Sequence, residues 1–211
     1  PVFGADVPSI ETAAMAAYIE EHDYGITWVI DEPMARASHA LVDDGRVWII
    51  DQVDDDEAME KVVALGKPVA VFQLLDRHNR DCEAIAKRLD VPHVTQPDEL
   101  HGTPFESFNI IQNRFWSEKG LWWQKKHVLV VPEAVGTSKL FKPTDAGAGM
   151  HIMLRMRPPR RPLGTFVPQH LLCGHGRPVH GTQATKALQE AVDRSWRDLP
   201  GAIVGIPGAF R

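Results

Sequence analysis

Within the nine residues Leu74-Leu75-Asp76-Arg77-His78-Asn79-Arg80-Asp81-Cys82 stand two carboxylates, one imidazole and two guanidinium groups. Two more polar residues sit in comparable settings. Glu133 lies in Pro132-Glu133-Ala134 after the apolar run Val128-Leu129-Val130-Val131, and His175 lies between two glycines after Leu171-Leu172-Cys173. In each case a polar side chain follows an apolar run. In α/β proteins, sites are built beyond the carboxyl ends of strands. Asp76, His78, Asp81, Glu133 and His175 are hard or borderline donors suited to one Zn, Mn or Fe ion. Such an ion would acidify a bound water for attack on an ester, thioester, amide or phosphodiester. The alternative needs no cofactor. Arg80 carries donors and no acceptor, so its guanidinium can bridge Asp76, Asp81 or Glu133 and replace a metal as the compensating cation. Asp81, Glu133 and His78 would then be left as catalytic acids and bases. Cys82 begins an amphipathic segment whose apolar positions 82, 85, 86 and 89 share one helical face, which marks it as a core residue.

The elements that must position these groups follow from punctuation and periodicity. Ser9 to Glu21 reads as a short helix capped by Ser9. Gly25 to Ile30 and Ala37 to Val42 read as strands. Asp43-Asp44-Gly45 is a turn signal before the strand Val47 to Ile50, with Asp51 behind it. Acidic residues 54 to 57 suit the start of a helix that Gly66 ends. Val69 to Phe72 is nearly continuous apolar sequence, typical of a strand buried on both faces. With the helix to Leu89 and the short strand at His93, it forms a parallel crossover. Phe108 to Ile111 and Gly120 to Trp123 suggest an antiparallel meander. The Val135 to Gly149 stretch reads as loop, Arg155 to Pro162 as a basic surface connection, and His170 to Cys173 as a last strand. Thr182 is the expected cap of a final helix with Ala184, Ala187, Leu188, Ala191, Val192 and Trp196 on its apolar face, stopped by Pro200-Gly201.

The 211 residues and their 44% hydrophobic content suit one α/β domain spanning 1-211. A net charge of -5 gives no reason to expect nucleic acid, and no apolar run is long enough to span a bilayer. The two cysteines fit a reducing compartment, which implies the cytoplasm. A small-molecule ligand is the expected partner, and a homodimer is the common assembly. Trp116, Trp122, Trp123 and His39 are candidates to line the pocket.

The order of these elements resembles the metallo-beta-lactamase fold, a four-layer αββα sandwich of hydrolases and their relatives. Trp48-Ile49-Ile50-Asp51, the following helix and the buried strand match its opening. The signature after that strand, His-x-His-x-Asp-His, falls in register with Asp76-Arg77-His78-Asn79-Arg80-Asp81. Glu133 corresponds to the family's bridging aspartate, and His175 to its last histidine in Gly-His-Gly. The resemblance implies two metal ions, but this chain departs from it. Arg80 stands at the family's aspartate and cannot ligate a metal. Asp76 and Asp81 replace histidines. No histidine stands between Ile111 and Arg114, where a third is expected; His101 and His127 lie on either side. The resemblance therefore implies a diverged member whose two-metal motif is degenerate, with a metal-free cleft, a single-ion hydrolase and a non-catalytic interaction protein as the open readings.

Overall fold

A computed structural model describes residues 15–78, 80–142 and 146–199. The first sheet grows from consecutive hairpins. Strands β1 (Ala16–His22), β2 (Gly25–Ile30), β3 (Ala37–Asp43) and β4 (Arg46–Ile50) pair antiparallel in chain order. The β3–β4 turn is two residues long, and Asp44 and Gly45 have φ of +49° and +72°. Positive φ at both positions gives the turn whose twist matches the strands it joins. Helix α1 (Asp56–Leu65) then crosses to β5 (Lys67–Gln73), and α2 (Cys82–Leu89) crosses to β6 (His93–Thr95), both new strands running parallel to their neighbours. The Asp55 side chain caps α1 by accepting from the Ala58 N–H at 2.8 Å.

The second sheet has the order β13-β12-β9-β8-β7. Its strands are β7 (Glu106–Asn113), β8 (Trp116–Trp123), β9 (Val128–Val131), β12 (His170–Cys173) and β13 (Val179–His180); β9 and β12 are parallel, the other pairs antiparallel. Between β9 and β12 the chain forms a two-residue ladder, β10 (Val135–Gly136) with β11 (Gly149–Met150), and a short helix α3 (Arg160–Leu163). Helix α4 (Thr182–Asp193) closes the described chain.

Three apolar clusters define four layers. Leu41, Trp48, Ile50, Phe72, Leu121, Trp123, Val130 and Leu172 fill the space between the sheets. Ile49 and Val71 on the outer face of the first sheet pack on Val62 of α1 and Ile85 of α2. Leu129, Val131 and Leu171 on the outer face of the second pack on Ala187, Leu188 and Ala191 of α4. This is an αββα sandwich. No described helix is long and apolar enough to cross a membrane.

Several segments differ from the sequence expectation. Ala16–His22 is an edge strand rather than a helix. Its helix-favouring alanines and glutamates are overridden by pairing with β2, because propensity is weaker than a sheet ladder. The proposed Ser9 cap, like the Pro200-Gly201 stop, lies outside the described residues. Thr182 is the first residue of α4, and Gly181 occupies the cap position with φ +63°. Trp196 is 60% exposed and lies beyond the end of α4 rather than on its apolar face. Arg155 is 1% exposed rather than a surface charge, because its guanidinium donates to the carbonyls of Met150, Phe141 and Asp198.

His39 does not line a pocket. It is a core residue that crosses between the sheets, with Nδ1 2.9 Å from the Thr27 hydroxyl and Nε2 donating to the Cys173 carbonyl at 3.1 Å. Burial pushes its pKa down to about 4. The unfolded chain, with an ordinary imidazole, takes the proton first. The stability His39 contributes is therefore complete above about pH 6.5 and is lost as the pH falls toward 4. Equilibrium urea unfolding at pH 7 and pH 5 should show a loss of about 2 kcal/mol from this residue, at ~1.4 kcal/mol per pKa unit. His39→Gln should flatten the pH dependence by that amount; an unchanged slope would assign the loss to other groups.

Candidate functional site

The polar residues meet where the ends of β4, β5, β9 and β12 come together. Glycines make the approach. A Cβ on Gly174 would lie 2.1 Å from the Pro132 carbonyl oxygen, and Gly176 has φ +93°. His175 is thereby turned inward with its Nε2 2.8 Å from Glu133 Oε2. His78 Nε2 reaches the same oxygen at 2.9 Å. These three residues bring their ligand atoms within 4.8 Å of one another.

Three residues not among the expected site residues complete the arrangement. Asp51, 1% exposed, accepts the Leu74 N–H on Oδ1 at 3.0 Å and faces His78 Nδ1 with Oδ2 at 3.4 Å. His151 places Nε2 3.5 Å from Glu133 Oε1, carried there by the β10–β11 ladder. Glu118, fully buried in β8, accepts the Glu133 and Ala134 N–H groups on one oxygen at 2.9 and 2.8 Å and the Trp116 indole N–H on the other at 2.9 Å. It fixes the backbone that presents Glu133. The signal for Asp51 was its place at a strand end. Nothing in the sequence marks His151 or Glu118, since both depend on chain pairing.

Electrostatics follow from burial and these contacts. Burial alone would raise the Glu133 pKa, but hydrogen bonds from His175 and His78, and their charge, hold it far below the usual carboxylate range. Burial and Arg80 pull His78 down, yet Asp51 and Glu133 outweigh them and its pKa is raised. Burial would also raise Asp51, but His78, Arg80 and the Leu74 N–H lower it. Burial lowers His151 and pushes Glu118 up to about 7. The Cys82 thiol is pushed up to about 12 by burial, as befits a core residue.

Arg80 does not bridge carboxylates. Its Nη1 donates to the carbonyls of Ala37 at 2.6 Å and Asp51 at 2.7 Å, and its Nη2 to that of Gly174 at 3.0 Å. The guanidinium thus ties the start of β3 and the end of β4 to the end of β12. Asp76 and Asp81 stand apart from the trio. Asp76 is exposed, accepts the Ser117 N–H at 3.1 Å and pairs with Arg77. Asp81 accepts the Asp54 N–H at 2.8 Å in front of α2. Trp116 meets His151 edge-on at 4.9 Å between ring centres, under the Arg77 guanidinium, and Phe141 stacks on His175 at 5.1 Å. Trp122 lies on the outer face of the second sheet against Phe166, and Trp123 lies in the inter-sheet core against Phe105. Neither faces the trio.

A two-metal centre does not fit these residues. A half-buried permanent cation holds the position of one family ligand, and two further candidate ligands point elsewhere. Three donors remain, at His78, Glu133 and His175.

No protein-family model matches the sequence, and no curated protein matches it. Solved structures do. The metallo-beta-lactamase DIM-1 exposed to ceftazidime superposes with a TM-score of 0.53 at 14% identity, covering 84% of this chain and 97% of that one. TMB-1 gives 0.55 at 10% identity, over 84% and 97%. VMB-1 gives 0.56 at 8% identity, over 83% and 95%.

Removing the Arg80 head group would take a donor from three carbonyls, but Gly174 O also accepts the Ala37 N–H at 2.8 Å and Asp51 O the Ser38 hydroxyl at 3.2 Å, so the cost is nearer that of one unmade bond, about 1–3 kcal/mol. Arg80→Met should lower unfolding free energy by about 1–3 kcal/mol in urea titration. A loss below about 1 kcal/mol would mean that the sheets do not depend on this clamp. From its architecture and its residues together, the chain has the metallo-beta-lactamase fold with an incomplete metal-binding motif.

Proposed function

We propose that this cleft is a metal-independent binding site for a small molecule that presents an ammonium, guanidinium or hydroxyl donor. The observation that carries this reading is the spacing of the trio. Both histidine Nε2 atoms lie 2.8 and 2.9 Å from one carboxylate oxygen, which is hydrogen-bond distance. Tetrahedral ligands at bond lengths of about 2.0–2.1 Å stand roughly 3.4 Å apart. Arg80 supplies fixed positive charge beside Asp51 and Glu133, meeting the need that a dication meets elsewhere. A carboxylate held so far below its ordinary range is a poor proton acceptor near neutral pH, so Glu133 suits binding better than general-base catalysis. Its Oε1 is left for a ligand, beside the His151 Nε2. His151 accepts the Met153 N–H on Nδ1 at 3.3 Å, so its neutral form carries the proton on Nε2 and adds a donor to the cleft. The two buried free cysteines agree with a reducing, cytoplasmic setting.

One observation favours a second reading, a hydrolase with a single ion. His175 Nδ1 faces the Met34 carbonyl at 3.0 Å and His78 Nδ1 faces Asp51. Acceptors at Nδ1 leave each Nε2 free for a cation, as outer partners of metal-bound histidines do. A Zn, Mn or Fe ion on His78, Glu133 and His175 would supply an acidified water for ester, thioester, amide or phosphodiester hydrolysis.

Glu133→Gln separates the two. Elemental mass spectrometry of protein purified without chelator or histidine tag should find the same metal content in the natural chain and the variant. Loss of about one equivalent in the variant would establish the single-ion site instead. Ligand-observed NMR with small ammonium, guanidinium and polyol compounds should give hits that weaken at least about tenfold in the variant, ~1.4 kcal/mol. Hits indifferent to the substitution would place binding elsewhere.

A further inference from the structure

At the opposite end of β12 from His175, a second group of ionisable side chains converges from both sheets. Tyr18, Glu20 and His22 alternate along one face of β1, and Tyr24 follows in the turn before β2. His170 and His180 sit opposite each other in the β12–β13 pair. The proposed cleft uses none of them.

The spacing here differs from that of the Glu133 trio. Glu20, His22 and His180 each offer a ligand atom, all within 4.8 Å of one another. His180 Nε2 is 3.5 Å and His22 Nδ1 3.9 Å from Glu20 Oε1. These are too long for hydrogen bonds and near the roughly 3.4 Å that separates tetrahedral ligands bonded at about 2.0–2.1 Å. The surroundings orient the donors. The Tyr18 hydroxyl donates to Glu20 Oε2, which leaves Oε1 turned toward the imidazoles. Tyr24 stacks on His22 with ring centres 4.7 Å apart. His170 Nδ1 and His180 Nδ1 are 2.9 Å apart, so one proton lies between them. When His180 holds that proton, its Nε2 keeps a lone pair directed at Glu20, the tautomer a metal-bound histidine takes.

Among the described residues two ring nitrogens of this group have no partner: His180 Nε2, which faces Glu20, and His22 Nε2, the ring nitrogen other than the Nδ1 measured to Glu20. The His22 side chain is only 9% exposed, yet its Nε2 makes no hydrogen bond, and neither does the buried Nε2 of His180. An imidazole nitrogen buried without a partner is costly. Glu20 and His180 remain 30% and 32% exposed, which gives an ion a path in and leaves a coordination position for water.

We propose that Glu20, His22 and His180 form a binding site for one Zn²⁺-class cation, which clips the edge strand β1 of the first sheet to the edge strand β13 of the second. Two imidazoles and a carboxylate are borderline donors, and such a set prefers Zn²⁺ or Cu²⁺ over Mg²⁺ or Ca²⁺. An ion that binds only the folded chain raises its stability by mass action.

The test uses the full chain, dialysed against Zn²⁺ and then against metal-free buffer, with zinc counted by elemental mass spectrometry and Tm measured with and without Zn²⁺. The natural protein should retain about one equivalent and melt at higher temperature when loaded. Glu20→Gln and His180→Asn, made separately so that one folding failure is not decisive, should each weaken zinc binding at least about tenfold. Glu133→Gln should bind zinc as the natural chain does. No retention, or retention indifferent to Glu20→Gln, would overturn the site. Loss on Glu133→Gln with retention in Glu20→Gln would overturn it too, and would also sink the metal-independent reading of the cleft.

Discussion

The fork of hydrogen bonds from Arg80 to the carbonyls of Ala37, Asp51 and Gly174 is the contact on which the upper end of the sandwich depends. Those carbonyls belong to three strand ends, two in the first sheet and one in the second. Carbonyls at strand ends have no ladder partner, and buried ones must find a donor. A planar guanidinium reaches three at once, alongside the Ala37 N–H on Gly174 O and the Ser38 hydroxyl on Asp51 O, and brings a charge with it. That charge lowers the Asp51 pKa, and Asp51 in turn faces His78. Structural clamp and polar cleft are thus one piece of electrostatics.

The two ends of β12 show how the same residue types serve different ends. Past its carboxyl end, His175 closes on a carboxylate oxygen that His78 shares, and both Nε2 atoms are satisfied there, while His78 Nδ1 stands 3.4 Å from Asp51 Oδ2. At its start, His170 instead braces His180, and the carboxylate of Glu20 stays beyond hydrogen-bond reach of both facing imidazoles. A site whose donors already pair gains less from a cation than one whose nitrogens are buried and unpaired. Composition does not separate the two; spacing does.

Much of the frame was legible from local sequence. The Asp44-Gly45 turn, the apolar β5 and β9, the amphipathic α2 and α4 and the crossover order all appear as expected, because periodicity and turn chemistry act within a few residues. The segment 16–22 misleads because its local preference is helical while its partner strand lies beyond it. Arg155 misleads because three carbonyls, 5, 14 and 43 residues away along the chain, converge on it only in the fold.

The sequence by itself determined that His78, Glu133 and His175 stand at the ends of apolar strands, and that Arg80 holds a ligand position without being able to ligate. The first of these needs only residue type and local order; the second rests on the resemblance of residues 76–81 to the metallo-beta-lactamase signature. Tertiary structure alone decided that Arg80 binds backbone rather than carboxylates, that Asp76 and Asp81 turn away, and that Asp51, His151 and Glu118 complete the site. It also decided that Glu20, His22 and His180 meet at the far end. Each of these contacts joins residues brought together by sheet pairing and layer packing, and a side chain's partner 15 to 160 residues away is fixed by register and crossing geometry, to which no local pattern in the chain corresponds.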